Sequence, residues 1–172
     1  KGHKTVLHFE GSDFLTKVWV NGRLAGSHKG GYSRFSFDIT DLAVEGVNRI
    51  CVKVEDVPDR QLPRGKQRWI KNNFGCWYVQ TTGIWKTVWM EYVPLISLAF
   101  VKMTPDLAGG CLRVECLVDG VDFMTAFEEK NLSLQAEVTF EGRLIARASA
   151  AVMKKSFELK LDLDMPREDE PW

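Results

Sequence analysis

"FLTKVWVNGRLAGSHKGGYSRFSFDITDL", Phe14 to Leu42, decides how this chain folds. Phe14, Thr16, Val18 and Val20 fall at every second position, with Lys17 and Trp19 between them. Successive side chains of a strand point to opposite faces, so the alternation predicts a half-buried β-strand. Asn21-Gly22 follows at once. Both residue types accept positive φ, which a two-residue type I′ hairpin demands. "RLAGSH" then returns as the partner strand. Gly30-Gly31 lets the chain cross to the next strand, where Phe35, Phe37 and Ile39 share a face. Tyr32, Phe35 and Phe37 are expected to anchor that crossing inside a sandwich. Thr40-Asp41 opens a turn or a short helical step.

The same period extends outward. Leu7 and Phe9 oppose Val6 and His8, and Ile50, Val52 and Val54 oppose Cys51, Lys53 and Glu55. "GIWKTVWMEYV", Gly83 to Val93, predicts one further strand. Pro94 marks a boundary, after which the pattern restarts. "ISLAFVKMTPDL" reads as a strand stopped by Pro105. Leu112, Val114, Cys116 and Val118 form a second face, and "DGVDFMTAFEEKN" (119–131) a loop or short helical turn. Leu132, Leu134, Ala136, Val138 and Phe140 form a third face. Glu141-Gly142 turns the chain into "RLIARASAAV". Phe157, Leu159, Leu161 and Leu163 close the series. No segment carries the period of an amphipathic helix. Short strands punctuated by turn signals predict two all-β sandwich domains that split near residues 94–96.

The chain has 172 residues, enough for one large domain or two small ones with a real core. Lys plus Arg and Asp plus Glu each number 23, so the net charge is zero. Such a balance argues against a nucleic-acid or membrane-surface partner that needs a strong field. No apolar run is long enough to span a bilayer. "KGHKTVLHFEG" lacks the apolar core of a secretory signal. Because it opens almost directly into a strand pattern, the sequence is expected to be cut from something longer. The four cysteines fit no zinc spacing and are expected as free thiols, which favours the cytoplasm. His8 and His28 lack a third metal ligand at suitable spacing, and Gly30-Gly31 lacks the Lys-Ser/Thr of a phosphate loop. Neither metal nor cofactor is expected.

From Asp56 to Thr82 the period disappears. This stretch holds Pro58, Pro63, Gly65 and Gly75 together with Trp69, Phe74, Trp77 and Tyr78. Loops of this length inside compact domains are usually functional or disordered, and the aromatics argue against disorder. The six tryptophans have two readings. One is burial; the other is exposure beside sugar, since a flat apolar ring matches the C–H face of a pyranose. Asp38 and Asp41 are placed to hold backbone N–H groups at a turn. Glu128-Glu129 and Lys154-Lys155 read as solvated faces. No acid has the context of a catalytic pair.

"LHFEGSDFLTKVWVNGRLAGSHKGGYSRFSFDITDL", then "PRGKQ", then "WYVQTTGIWKTVWMEYVP" resembles the N-terminal sugar-binding domain of family 2 glycoside hydrolases, the β-galactosidase, β-glucuronidase and β-mannosidase family. The resemblance covers about the first 94 residues and implies a jelly-roll (galactose-binding-like) β-sandwich. By position, residues 96–165 resemble the immunoglobulin-like domain that follows it in this family. The closing "MPREDEPW", with residues 166–172 as linker, resembles the lead-in to a catalytic barrel. That barrel carries the two glutamates of a retaining glycosidase, so catalytic residues are expected outside this chain. The jelly-roll strands that precede "LHF" in the family are missing, which predicts an open sheet edge and a homo-oligomer or swapped strand.

The resemblance also implies that the long loop borders the sugar pocket. Asp59 would accept from sugar hydroxyls, Arg64 and Gln67 would donate to them or orient the acid, and Trp77 or Tyr78 would stack on a ring. The implied parent hydrolyses a terminal β-glycosidic bond, with β-galactosidase favoured over β-glucuronidase. Two other readings stand beside it: a free-standing carbohydrate-binding module, and a structural domain mediating oligomer contacts.

Overall fold

The computed structural model describes residues 2–57, 61–121 and 132–163. They divide into two compact units, Lys1–Pro94 and Leu95–Trp172. Among the described residues every regular element is a strand.

The first unit holds β1 (His3–Phe9), β2 (Ser12–Asp13), β3 (Leu15–Val20), β4 (Arg23–Lys29), β5 (Phe35–Asp38), β6 (Ile50–Glu55), β7 (Gly83–Ile84) and β8 (Val88–Pro94). One antiparallel sheet runs β5-β1-β8 and a second runs β4-β3-β6. Leu7 and Phe9 from β1 meet Val18 and Val20 from β3, with Ile39 closing the same core. Each such side chain contributes roughly 1.5–3 kcal/mol by leaving water. The β3–β4 hairpin turns at Asn21 (φ 52°) and Gly22 (φ 80°), as a type I′ turn requires. Asn21 also ties the turn down, donating to the Leu42 carbonyl and accepting from the Arg49 N–H. A register shift after Val18 places Gly26 under Phe37, where an added Cβ would lie 2.3 Å from the ring. Asp38 accepts from the Thr40 N–H at 3.0 Å, a turn role.

Two expectations change here. "GIWKTVWMEYV" is two strands, not one: β7 pairs with β2, and β8 pairs with β1. Between them the N–H groups of Trp85 and Lys86 both point at the Gly11 carbonyl, at 3.2 and 3.3 Å. Two residues thus oppose one, the condition of a bulge, and the extra residue re-aims Trp85. Tyr32 is not an anchor of the sandwich: it is 53% exposed. Phe35 and Phe37 do the anchoring, with Phe35 stacked on Phe9 at 4.9 Å.

On the core-facing side of β8, Val88, Met90 and Tyr92 stand opposite Phe9, Leu7 and Thr5. Those three β1 residues are buried, but the three β8 residues are exposed. Ile50, opposite buried Val20 at the edge of the other sheet, is exposed too. Among the described residues, the core is therefore uncovered along β8 and the start of β6.

The second unit packs the sheet of β13 (Ser156–Asp162), β10 (Cys111–Asp119) and β9 (Ser97–Asp106) on the pair β11 (Ser133–Phe140) and β12 (Arg143–Ala151). Its core joins Val114, Cys116 and Val118 to Leu134, Ala146, Phe157, Leu159 and Leu161. Pro105 does not stop its strand; β9 continues to Asp106 with Pro105 opposite Leu112. An edge strand tolerates the missing N–H, and β9 is at the edge. The β11–β12 turn uses Glu141 (φ 47°) and Gly142 (φ 79°). All four cysteines are free, and burial pushes the Cys116 thiol up. The segment 122–131, with Glu128-Glu129, lies outside the described residues, as does the closing 165–172.

Candidate functional site

The long loop folds against β2 and the Gly30-Gly31 crossing. Its frame is a short bridge between Gln67 and Tyr78, in which Arg68 N–H donates to the Tyr78 carbonyl and Tyr78 N–H to the Lys66 carbonyl, each at 2.8 Å. Inside this frame Asp56 is almost wholly buried. Arg64 grips it with both terminal nitrogens, at 3.2 and 2.8 Å, and Gln80 Nε2 donates to it at 3.1 Å. The side chains of Arg64 and Asp56 are 6% and 2% exposed. A bidentate guanidinium with a further donor is the arrangement a buried carboxylate needs.

A concavity of about 330 Å³ opens beside this pair. Asp13, Tyr32, Gln67, Thr81, Thr82 and Trp85 line it, with Gly83 and Ile84 at its back. Asp13 is held by chain geometry rather than by a cation. Next to it Ser12 is fully buried and accepts from the Thr16 hydroxyl at 2.8 Å. Gln67 Nε2 donates to Asp13 Oδ2 at 3.5 Å, while Gln67 Oε1 accepts from the Thr81 N–H at 2.8 Å. The carboxylate lies against Gly31, where an added Cβ would stand 2.5 Å from Asp13 Oδ1. Partial burial, then the Asp56 charge, push the Asp13 carboxyl above its ordinary range; the Gln67 hydrogen bond and the Arg64 charge act against them.

Trp85 forms the apolar wall. Its indole N–H donates to the Gly31 carbonyl at 2.8 Å, and Gly11 lets the ring lie close, since a Cβ there would be 3.0 Å from it. Tyr32 meets the ring edge-on at 5.9 Å. Half of Trp85 remains open to solvent. The site thus offers an apolar ring wall, a carboxylate acceptor, an amide and the Thr81 side chain within one concavity, while the Thr82 hydroxyl donates to Asp56 at 3.5 Å. This is the usual mix for a small polyhydroxylated ligand: one flat apolar surface and a few placed polar groups.

Of the four described residues among the five singled out from the sequence, only Gln67 lines the concavity. Arg64 sits behind it in the Asp56 pair. Trp77 packs edge-on against Trp69 at 4.5 Å, within an aromatic cluster that includes Phe74. Tyr78 is exposed beyond the Gln67 bridge. Asp59 lies outside the described residues. The sequence does not single out Asp13 or Trp85 as site residues, and it reads Tyr32 as an anchor of the crossing. Their one signal was the Gly-Gly crossing itself, whose second glycine makes room for Asp13 and supplies the acceptor for Trp85. Among the described residues no cluster of His, Cys, Asp and Glu has the arrangement of a metal site.

Residues 1–94 match the model of the family described as glycosyl hydrolases family 2, sugar binding domain. A beta-galactosidase of Thermoanaerobacter pseudethanolicus is 38% identical over 93 residues, 53% of this chain and 12% of that protein. A beta-galactosidase of Halalkalibacterium halodurans is 25% identical over 165 residues, 95% of this chain and 15% of that protein. The chain therefore spans less than a sixth of the length of these relatives. Among solved structures, a glycosyl hydrolase family 2 member from Bacteroides cellulosilyticus aligns with 97% of this chain and 22% of its own, at TM-score 0.63 and 18% identity. A β-glucuronidase from Ruminococcus gnavus in complex with uronic deoxynojirimycin aligns with 95% of this chain and 28% of its own, at TM-score 0.65 and 21% identity. These two likenesses concern the fold.

Proposed function

Because the chain belongs to glycosyl hydrolase family 2, with that family's sugar binding domain over residues 1–94, we propose that the concavity beside Asp13 and Trp85 holds one side of a sugar at the border of a larger active site. The observation that carries this reading is Trp85 itself. Its ring is pinned by the Gly31 carbonyl, yet half of it is open beside a carboxylate and an amide. Held in that orientation, the ring presents apolar surface to whatever enters the concavity.

In the parent protein the chemistry is hydrolysis of a terminal β-glycosidic bond with retention, of the β-galactosidase kind in preference to the β-glucuronidase kind. That reaction takes two carboxyl groups about 5–5.5 Å apart, one as acid/base and one as nucleophile. Asp13 and Asp56 do not serve as that pair, because Asp56 is consumed by Arg64. The residues of this chain bind and orient. Their hydrogen bonds to sugar hydroxyls gain full value once the rest of the enzyme excludes water, since an exposed hydrogen bond nets only about 0.5–1.5 kcal/mol.

A second role rests on the uncovered core along β8. Val88, Met90 and Tyr92 present a core face without a cover among the described residues, and the free edge of β8 can pair with another strand. A second copy of this chain is the occupant proposed. One purified sample tests both statements. It should leave chromogenic β-galactosides and β-glucuronides intact, and its mass in light scattering should rise with concentration. Turnover above the buffer background defeats the binding role as stated, and a constant monomer mass defeats self-association.

A further inference from the structure

The outer face of the second sheet of the first unit carries a charge arrangement that folding alone does not favour. β3 is the central strand in the order β4-β3-β6. Thr16, Val18 and Val20 are buried against the core, so Lys17 and Trp19 point outward. Lys17 stands opposite Lys53 of β6 on one side and opposite Ser27 of β4 on the other. Like charges directly opposite each other on neighbouring strands destabilise a sheet. Glu55, on the same strand as Lys53, offsets that lysine at 3.0 Å. Lys29, two residues beyond Ser27 on β4, adds a third exposed cation to this face. Trp19 is half-buried two residues from Lys17. We propose that this face binds an acidic polysaccharide: a sugar ring lays its C–H face on Trp19, and a carboxylate or sulfate bridges the ammonium groups of Lys17 and Lys53, with Ser27 donating to the same anion.

This site shares no residue with the concavity and stands independently of the role proposed there. Neighbouring strands lie about 4.8 Å apart, so both lysine stems reach one anion. A pair that weakens the free sheet becomes favourable once a negative charge sits between its members. Trp19 lies about 6.7 Å along the strand from Lys17, a step on the scale of one sugar ring. Its ring supplies the apolar surface that lysines lack. Duplex DNA presents one charge per ~1.7 Å and calls for a long basic stripe, whereas this face offers three lysines and one acid. An extended peptide docks on a sheet edge, where backbone groups are free; Lys17 and Trp19 stand on the face of a central strand. A polymer of flat rings with sparse charges fits both features.

The test uses the whole 172-residue chain, labelled with nitrogen-15. The amides of Lys17, Ser27 and Lys53 and the indole N–H of Trp19 report the site. The probes are tetragalacturonate, a sulfated carrageenan tetrasaccharide, neutral cellotetraose, octaglutamate and an oligothymidylate of eight residues. At least one acidic tetrasaccharide should move these signals with an affinity above that of cellotetraose and of the two non-sugar anions. The tighter of the two acidic sugars identifies the anion, carboxylate or sulfate. Lys17→Gln combined with Lys53→Gln should lower the affinity about tenfold, the worth of two exposed ion pairs. Glu55→Gln should raise it about twofold, because Lys53 is then released to the ligand. Molar salt should abolish the preference for the acidic sugar in the unmutated chain, since the Debye length falls to about 3 Å; this arm needs no variant to fold. Lys17→Gln alone should leave the thermal midpoint unchanged or raise it, because it removes the opposed charge.

Cellotetraose binding as tightly as the acidic sugars at these signals overturns the proposal, and so does acidic-sugar binding that neither salt nor the double variant weakens. Octaglutamate or the oligothymidylate binding as tightly shows recognition of charge without the sugar and overturns it too. A lowered thermal midpoint in Lys17→Gln makes Lys17 a structural lysine, with the same result. If no probe moves these signals, the surface site falls and the concavity beside Trp85 is untouched.

Discussion

Asp56 and Asp13 are two aspartates of one loop cluster with opposite fates. Asp56 is buried and over-supplied, with two guanidinium nitrogens and the Gln80 amide directed at it. Asp13 is half-open and under-supplied, with one long hydrogen bond from Gln67 and a glycine at its back. Enough donors convert a carboxylate into a structural strut. Withholding them leaves the carboxylate with lone pairs for something that arrives later. The first aspartate holds the loop that the second uses.

The contrast breaks most visibly at Arg64. Arg64→Ala leaves Asp56 charged and buried without its partner, which typically costs 3–5 kcal/mol. The first unit should lose stability by about that much in urea unfolding, with the loop signals of Gln67 and Thr81 collapsing first. Pairing it with Asp56→Ala should recover part of the loss, because no uncompensated charge then remains. If Arg64→Ala costs less than about 1 kcal/mol, Asp56 is no strut and the two aspartates are alike.

A smaller effect is expected at Gly31. A Cβ at this position would stand 2.5 Å from Asp13 Oδ1 and 3.0 Å from its carboxyl carbon. Because the obstacle is a side-chain end, Gly31→Ala should displace Asp13 rather than unfold the crossing. Overpacking of this kind costs about 1–3 kcal/mol. The loss should fall at the low end, accompanied by a shifted Trp85 indole signal, since Trp85 donates to the carbonyl of the same residue. An unchanged indole signal would separate the Asp13 seat from the Trp85 wall.

What the sequence discloses of this arrangement follows from distance along the chain. The Asn21-Gly22 hairpin is local, and its turn chemistry and alternation were readable in about a dozen residues. The fold class and the loop region were readable for the same reason. The site was not. Asp13, Gly31, Gln67 and Trp85 meet only after four separate segments fold together. Asp13 sits in β2, a strand of two residues that is too short to show a period. Trp85 lies in what reads as an unbroken strand, and only the shared Gly11 carbonyl reveals the bulge that turns it. The loop aromatics drew notice instead because aromatic richness is visible in sequence, whereas the packing of Trp77 on Trp69 is not. Pro105 misled in the opposite sense: a proline stops a central strand, but β9 is an edge.

The smallest effect, and the sharpest test of the contrast, lies in the pH dependence of Asp13→Asn. The Asp13 carboxyl is raised above its ordinary value, by partial burial first and the Asp56 charge second. The folded chain therefore holds this proton more tightly than the unfolded chain does. The stabilisation from proton binding is fully present below the unfolded pKa and is lost as pH rises through the folded one. At neutral pH the ionised Asp13 thus weighs against folding. Asp13→Asn should raise stability at pH 7, by no more than about 0.5 kcal/mol given how open the group is. The gain should shrink as pH falls towards 4, because protonated aspartic acid and asparagine then resemble each other. A gain of that kind at pH 7, shrinking on acidification, would mark Asp13 as a group whose ionised form serves something other than folding. If Asp13→Asn instead destabilises the chain at pH 7, and most at pH 7, then Asp13 is a strut like Asp56 and the concavity has lost its acceptor.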